Sequence, residues 1–253
     1  MRKVLSIIYY EYKMQIKRIA TWGILLAATV IALLDNFPSA GNLARLEFLT
    51  QPAYFIYRTM NFDALIMSFG LMFLLSNRFP IDNKTGVKDL LMAAPVQKGQ
   101  YIMGKLLAAL LYTFTMLCFF LALNTAVYCI AASFEISVGE TVHTVMKTIF
   151  VSIAPVSVFI GFCSVALPAL MDIRLFYLLF AVFFVFNASY VGSAGASPFY
   201  LITSGELIHL VWVHPKSPQI DMGSALSNLA FLVGGGLLSC VLPFLKRGFW
   251  RTK

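Results

Sequence analysis

The chain has 253 residues, of which 60% are apolar, 15% aromatic and 12% charged, with a formal net charge of +8. Soluble domains carry roughly 25% charge and about 45–50% apolar residues, whereas a mean hydropathy of +0.82 leaves too little polar surface to keep a globule in water. This excludes an independent soluble enzyme domain and predicts an all-α integral membrane protein, since about 20 apolar residues per crossing let six spans use nearly the whole chain.

Residues 1–19 come first and are basic and amphipathic. On a helical wheel Val4, Leu5, Ile8, Tyr9, Tyr12, Ile16 and Ile19 share one arc, and Arg2, Lys3, Ser6, Tyr10, Lys13 and Lys17 the opposite one. Such a helix is suited to the membrane interface, apolar side in lipid and cations at the headgroups. No signal-peptide pattern is expected, because no small-residue cleavage site follows the first apolar run. Hydropathy then places spans at 20–36, 62–77, 105–133, 147–170, 175–191 and 223–244.

The connection between the second and third spans, 78–104, is the one long loop on its side. Within it Thr85 is predicted to cap a short helix whose Val87, Leu90 and Leu91 share a face and which Pro95 ends. By contrast Met171-Asp172-Ile173-Arg174 reads as a tight turn between spans four and five. Pro155 and Pro168 predict kinks in span four, and Gly234-Gly235-Gly236 a close helix approach in span six. The outer segment 192–222 is apolar at Phe199–Ile202 and again around Leu207–Val213. Irregular backbone at membrane depth needs protein shielding, so this segment is expected to dip back into the outer leaflet as short helices.

Lys and Arg set the orientation, because they accumulate on the cytoplasmic side. With both termini inside, fifteen of the nineteen basic residues are cytoplasmic, leaving Arg45, Arg58, Lys147 and Lys216 outside. The positive charge is therefore a topology signal and not a nucleic-acid footprint.

Catalytic and metal motifs fail on inspection. Gly99-Gln100-Tyr101-Ile102-Met103-Gly104-Lys105 matches the start of a phosphate-binding loop, but Leu106 stands where Ser or Thr must hold magnesium, and a membrane span follows. Glu140/His143 and Glu206/His209 have metal-like spacing, yet Ser137–Glu140 and Thr203–Glu206 also read as helix-capping boxes. His143, His209 and His214 all fall on the outer side, where a metal or a pH response is the other reading. Cys118, Cys129, Cys163 and Cys240 sit inside apolar runs and suit packing. No catalytic residues, resident metal or cofactor are expected. Among polar span residues, Ser68, Asn124, Asn187, Ser227 and Asn228 are expected to hydrogen-bond neighbouring helices.

Lys84-Thr85-Gly86-Val87-Lys88-Asp89-Leu90-Leu91-Met92-Ala93-Ala94-Pro95-Val96, followed by Tyr101-Ile102-Met103-Gly104-Lys105, resembles the loop of ABC-2 type permeases, the membrane subunits of ABC exporters. Two positions depart from the family pattern: Asn83 and Lys84 stand where an acidic residue is usual, and Val87 where Thr follows the Gly. The resemblance covers the whole chain, with residues 1–19 as the connecting helix and 20–253 as the six-span domain. It implies that residues 84–94 form a coupling helix, with Thr85, Gly86, Val87, Lys88, Asp89, Leu90 and Leu91 meeting a groove of a cytoplasmic ABC ATPase. ATP and Mg would be bound by that partner. It further implies a dimer with a second copy or paralogue, re-entrant helices between spans five and six, and a pathway between spans two and five. Met67, Phe69, Met72, Phe73, Phe180, Phe183, Phe184 and Asn187 are the pathway residues that follow. The implied activity is ATP-driven export of an amphipathic or hydrophobic cargo (peptide antibiotic, drug or lipid-like molecule) across the cell membrane. The competing reading is an ATPase-independent membrane immunity or scaffold protein, which has no use for the 84–94 helix.

Overall fold

The computed structural model describes residues 2–37, 50–86, 97–131, 136–190, 199–202 and 222–245. Those residues are helical almost throughout and contain no strand. In chain order they form α1 (Arg2–Ile16), α2 (Ile19–Asn36), α3 (residues 52–76), α4 (Arg78–Thr85), α5 (Lys98–Ala131), α6 (Val138–Leu170), α7 (Ile173–Tyr190) and α8 (Met222–Leu245). Among the described residues five stretches are long and apolar enough to cross a bilayer, Ile19–Asn36, Pro52–Asp82, Lys98–Ala131, Val138–Leu170 and Gly223–Leu245. The chain is a multi-pass membrane protein. The remaining expected span, 175–191, falls on α7, whose 18 residues reach about 27 Å at the helical rise, the short limit for a crossing.

Helix α6 is the centre of the bundle, packing against α8, α5 and α3. Its spanning window is 72% buried against 28% for that of α8, which places α8 at the periphery. Close contact between the two is made by Gly236, where a Cβ would fall 2.8 Å from the Val158 carbonyl oxygen. Of the glycine run it is Gly236 that makes the expected close approach, while Gly234 faces open space. Cys163 lies on the same seam, 3.3 Å from Ser239 Oγ, and all four cysteines are free.

Two spans begin earlier than hydropathy suggests. Span two starts at Pro52 and not near 62, and span four at Val138 and not near 147. Both early turns carry polar residues that face inward: Thr59, Asn61 and Asp63 on α3, and Thr141, Thr144 and Thr148 on α6, are buried. Thr141, Thr144 and Thr148 donate their hydroxyls to the carbonyls one turn back, so each is satisfied without water. Their lipid side is Val138, Val142, Met146 and Phe150, the reverse of a surface helix. Ser137 caps this segment, accepting from the Glu140 N–H at 3.4 Å as the capping box requires; the Thr203–Glu206 box lies outside the described residues.

Each early segment joins its span through a π turn, Thr59–Asp63 in α3 and Ile149–Ile153 in α6. The second sits just before Pro155. A proline ring cannot accommodate the carbonyl four residues back and offers no N–H to it, and the widened turn is where the helix absorbs this. Pro168 is carried inside α6. The 171–174 turn is as tight as expected, with Leu170 ending α6, Ile173 starting α7, and Asp172 Oδ1 accepting from the Arg174 N–H at 2.7 Å.

Helix α1 departs from the simple interfacial picture. It lies along α5, with Ile7 against Gly104 and the Tyr12 hydroxyl 3.3 Å from Thr115 Oγ1. Part of its packed line is polar, since Gln15 is buried and Glu11 points inward. Leu5, Tyr9, Tyr10 and Met14 stay exposed and are available to lipid.

Candidate functional site

At the α1 end of the bundle, four charged side chains meet under cover. Glu11 comes from α1, Arg78 and Asp82 from α4, and Lys105 from the first turns of α5. Arg78 pairs with Glu11, Lys105 reaches Glu11 Oε1 at 3.2 Å and also pairs with Asp82, and the Tyr101 hydroxyl donates to Asp82. Lys105 Nζ further donates to the Arg78 carbonyl at 3.1 Å and lies 5.5 Å and 5.3 Å from the Phe79 and Tyr101 ring centres. Arg78, Asp82 and Lys105 retain 3%, 8% and 2% exposure. Two acids and two bases balance, the condition under which buried charge is tolerable.

Beside this cluster Arg18, in the link between α1 and α2, donates to the Leu74 carbonyl at 3.4 Å. Burial, then the neighbouring Arg78, holds its guanidinium below the ordinary arginine range, with Tyr112 and Glu11 opposing. The buried Gln15 amide has no hydrogen-bond partner among the described residues, and neither has Arg78 Nε.

This cluster is the feature that sequence reasoning missed. The orientation count takes Arg78 and Lys105 as separate cytoplasmic cations, and the motif readings of Lys105 do not join it to Glu11 or Asp82. A signal was present: Arg78/Asp82 and Tyr101/Lys105 are both spaced i, i+4, the separation that puts side chains together on one helix face, and Glu11 is the first acidic residue of the chain.

The predicted coupling residues fall around the end of α4. Thr85 does not open a helix. It is the last residue of α4, its hydroxyl bonded to the Ile81 carbonyl at 3.0 Å, and Gly86 follows with φ +70°. The correction has a local cause: a threonine can donate back to the i−4 carbonyl from inside a helix, and glycine takes the left-handed stop at lowest cost. Val87, Lys88, Asp89, Leu90 and Leu91 lie outside the described residues. The phosphate-loop-like string 99–105 is simply helical, with its Lys105 consumed by the ion cluster.

The second feature is an aromatic cavity of about 460 Å³, lined by Met72 of α3, Phe159 and Leu167 of α6, Phe180 and Phe183 of α7 and Phe231 of α8. Of the expected pathway residues, Met72, Phe180 and Phe183 reach it. Phe69 stands behind, stacked at 5.4 Å on Phe180 and 4.5 Å from Phe184. Phe73 is half exposed and stacks on Tyr177 at 4.5 Å, while Met67 is fully buried in the core. Phe159 and Phe231 were not foreseen, because their walls belong to spans four and six.

Asn187 has a different occupation. Its Oδ1 accepts from the Leu201 N–H at 2.5 Å and its Nδ2 donates to the Phe183 carbonyl at 2.9 Å. Asn228 donates to the Tyr200 carbonyl at 2.8 Å, and the Tyr200 hydroxyl to the Asn61 carbonyl at 2.8 Å. These span amides therefore hold the buried segment Tyr200–Ile202, while Asn124 donates to its own Phe120 carbonyl. Ser68 Oγ, though buried, has no partner among the described residues, and Ser227 is exposed. The rest of the expected re-entrant segment, 192–198 and 203–221, is outside the described residues. Replacing Asn187 with leucine should leave the Leu201 N–H buried and unpaired, costing about 1–3 kcal/mol. Thermal unfolding of the detergent-solubilised chain measures this, and an unchanged midpoint would mean that Asn187 does not anchor this segment.

Among the described residues no group of three or more His, Cys, Asp or Glu is placed to hold a metal. His143 is exposed on α6, and His209 and His214 lie outside the described residues. Comparison with known proteins gives no match: no family model fits the chain, and no curated protein or solved structure is significantly similar to it.

Proposed function

We propose that this chain is the six-span permease subunit of an ABC-2 type exporter, placed in the cell membrane with both termini cytoplasmic. It works as a dimer with a second copy or a paralogue, and a separate cytoplasmic ATPase supplies ATP and Mg chemistry. The observation that carries this reading is the position of the ion cluster. Helix α4 ends at Thr85, within the segment 84–94 that resembles a coupling helix, and Arg78 and Asp82 tie α4 to Glu11 of α1 and Lys105 of α5. A push on residues 84–94 would therefore be delivered to a connecting helix and a span together. The aromatic cavity, apolar and within the roughly 300–1,000 Å³ of small-molecule sites, suits an amphipathic or hydrophobic cargo.

The test is a double substitution, Leu90→Glu with Leu91→Glu, followed by mild-detergent purification of the tagged chain. An apolar helix face docks in a groove through such residues, so the variant should insert normally yet lose an ATP-binding-cassette protein that the wild type brings down at near-equal stoichiometry. Recovery of the wild-type chain without any such partner would favour the ATPase-independent scaffold.

A further inference from the structure

The corner where α1 passes into α2 carries a second cavity of about 460 Å³, bounded by Tyr10, Glu11, Lys13, Met14, Lys17 and Arg18. Three of these are cations and one is an acid, but both Glu11 oxygens already face Arg78 and Lys105. The three groove cations therefore outnumber the one carboxylate, which is itself shared with two further cations. Burial, then the like charge of Arg78, disfavours the Arg18 guanidinium, and an anion in the groove would offset both. Among the described residues Lys13 Nζ meets the Tyr9 hydroxyl and ring, at 3.4 Å and 5.4 Å, and neither contact neutralises it.

The surroundings are apolar and open. Tyr10 and Met14 on the rim are 68% and 48% exposed. From Arg18 the chain runs directly into Ile19, Trp22 and Leu26, which recur at helical spacing along one edge of the spanning helix α2 and are all exposed. The Trp22 indole N–H donates to the Ile16 carbonyl at 2.8 Å, fixing its ring at the corner, and tryptophan favours the level of lipid headgroups. A positively charged hollow continuous with an exposed apolar helix edge matches a molecule with an anionic head and hydrocarbon chains. A soluble anion would use only the first half of it.

We propose that this corner binds the headgroup of an anionic phospholipid, held by Lys13, Lys17 and Arg18, with its acyl chains lying along Ile19, Trp22 and Leu26. Because Glu11 lines the groove and also anchors the ion cluster, the bound lipid sits against the same helix that the cluster holds. This site goes beyond the exporter reading and stands whether or not an ATPase partner exists.

The full chain, purified in neutral detergent, is given equimolar phosphatidylglycerol and phosphatidylcholine, and native mass spectrometry reads the lipid retained. Phosphatidylglycerol should be retained in clear excess of the supplied ratio. Each cation near a membrane surface contributes a factor of about five in affinity, so Lys13→Gln with Lys17→Gln should cut retention about 25-fold and adding Arg18→Gln about 125-fold. Lys13→Arg with Lys17→Arg should keep it. Retention in the supplied ratio by the wild type overturns the proposal without reference to any variant. So does an equal loss from Arg2→Gln with Lys3→Gln at the far end of α1, which would show diffuse charge and not a site. Full displacement of the lipid by millimolar inorganic phosphate would likewise overturn it in favour of a soluble anion.

Discussion

Replacing Lys105 with methionine is expected to lower the thermal unfolding midpoint of the detergent-solubilised chain by about 10 °C. The side chain is 1% exposed and is shared between Glu11 and Asp82. Removing it leaves two carboxylates facing one guanidinium, a buried net negative charge. Breaking a buried pair from one side costs about 3–5 kcal/mol, and at this size each kcal/mol moves the midpoint by roughly 2–4 °C. The sharper expectation concerns the double variant Lys105→Met with Asp82→Asn. It restores charge balance between Glu11 and Arg78, and the asparagine oxygen can still accept from the Tyr101 hydroxyl. Most of the lost stability should return, a coupling that independent sites do not show. A double variant as unstable as the sum of its parts would mean that the four residues are neighbours and not a network. If the exporter reading is right, this same variant separates two roles of the cluster. A chain that is stable but no longer stimulates its ATPase would assign the ions to transmission, whereas normal stimulation would leave them a purely structural role.

Sequence legibility tracked how each residue is read by a hydropathy window. Long apolar runs were plain, and so were their punctuation marks: the 171–174 turn, the Ser137 cap, the proline disturbance of span four and the glycine approach of span six all lie where local chemistry demands. The early turns of spans two and four were not legible. Thr59, Asn61 and Asp63, like Thr141, Thr144 and Thr148, score as water-loving, and only the packing reveals that they face the bundle interior. The ion cluster was hidden by the same convention. A tally of Lys and Arg assigns each charge to water on one side of the bilayer, so Arg78 and Lys105 enter it as separate cations and their pairing with Glu11 and Asp82 is missed. Their i, i+4 spacings within α4 and α5 hinted at paired side chains, but nothing local says that α1 lies across both. Thr85 shows the opposite failure, a strong local signal for a helix start that the preceding helix overrode. For the cavity, Met72, Phe180 and Phe183 came from expecting spans two and five to meet. Phe159 and Phe231 required knowing that spans four and six close the same space.

Gly161→Ala should be among the most damaging single-methyl changes available in the membrane-embedded part. At this position α6 crosses α5 so closely that a Cβ would stand 2.8 Å from the Leu110 Cα and 3.0 Å from its backbone N. The obstacle is backbone, so no rotamer change can make room. The two helices must move apart, loosening the seam that buries Ala109, Ile160 and Phe162. Overpacking of this kind costs about 1–3 kcal/mol, set against a helix-propensity gain of up to about 1 kcal/mol for replacing glycine by alanine. Gly234→Ala isolates that second effect, because among the described residues the added methyl meets no neighbour within 4 Å beyond the local backbone of its own helix. The pair should therefore move in opposite directions, Gly161→Ala lowering the midpoint and Gly234→Ala holding or raising it. The comparison also bears on the cavity. Since α6 supplies Phe159 and Leu167 to its wall, a shift of α6 away from α5 should alter binding of an apolar fluorescent probe there, while Gly234→Ala should leave it alone. Equal midpoints for both alanine variants would show that α5 and α6 are not in backbone contact at Gly161, and that the centre of the bundle lies elsewhere.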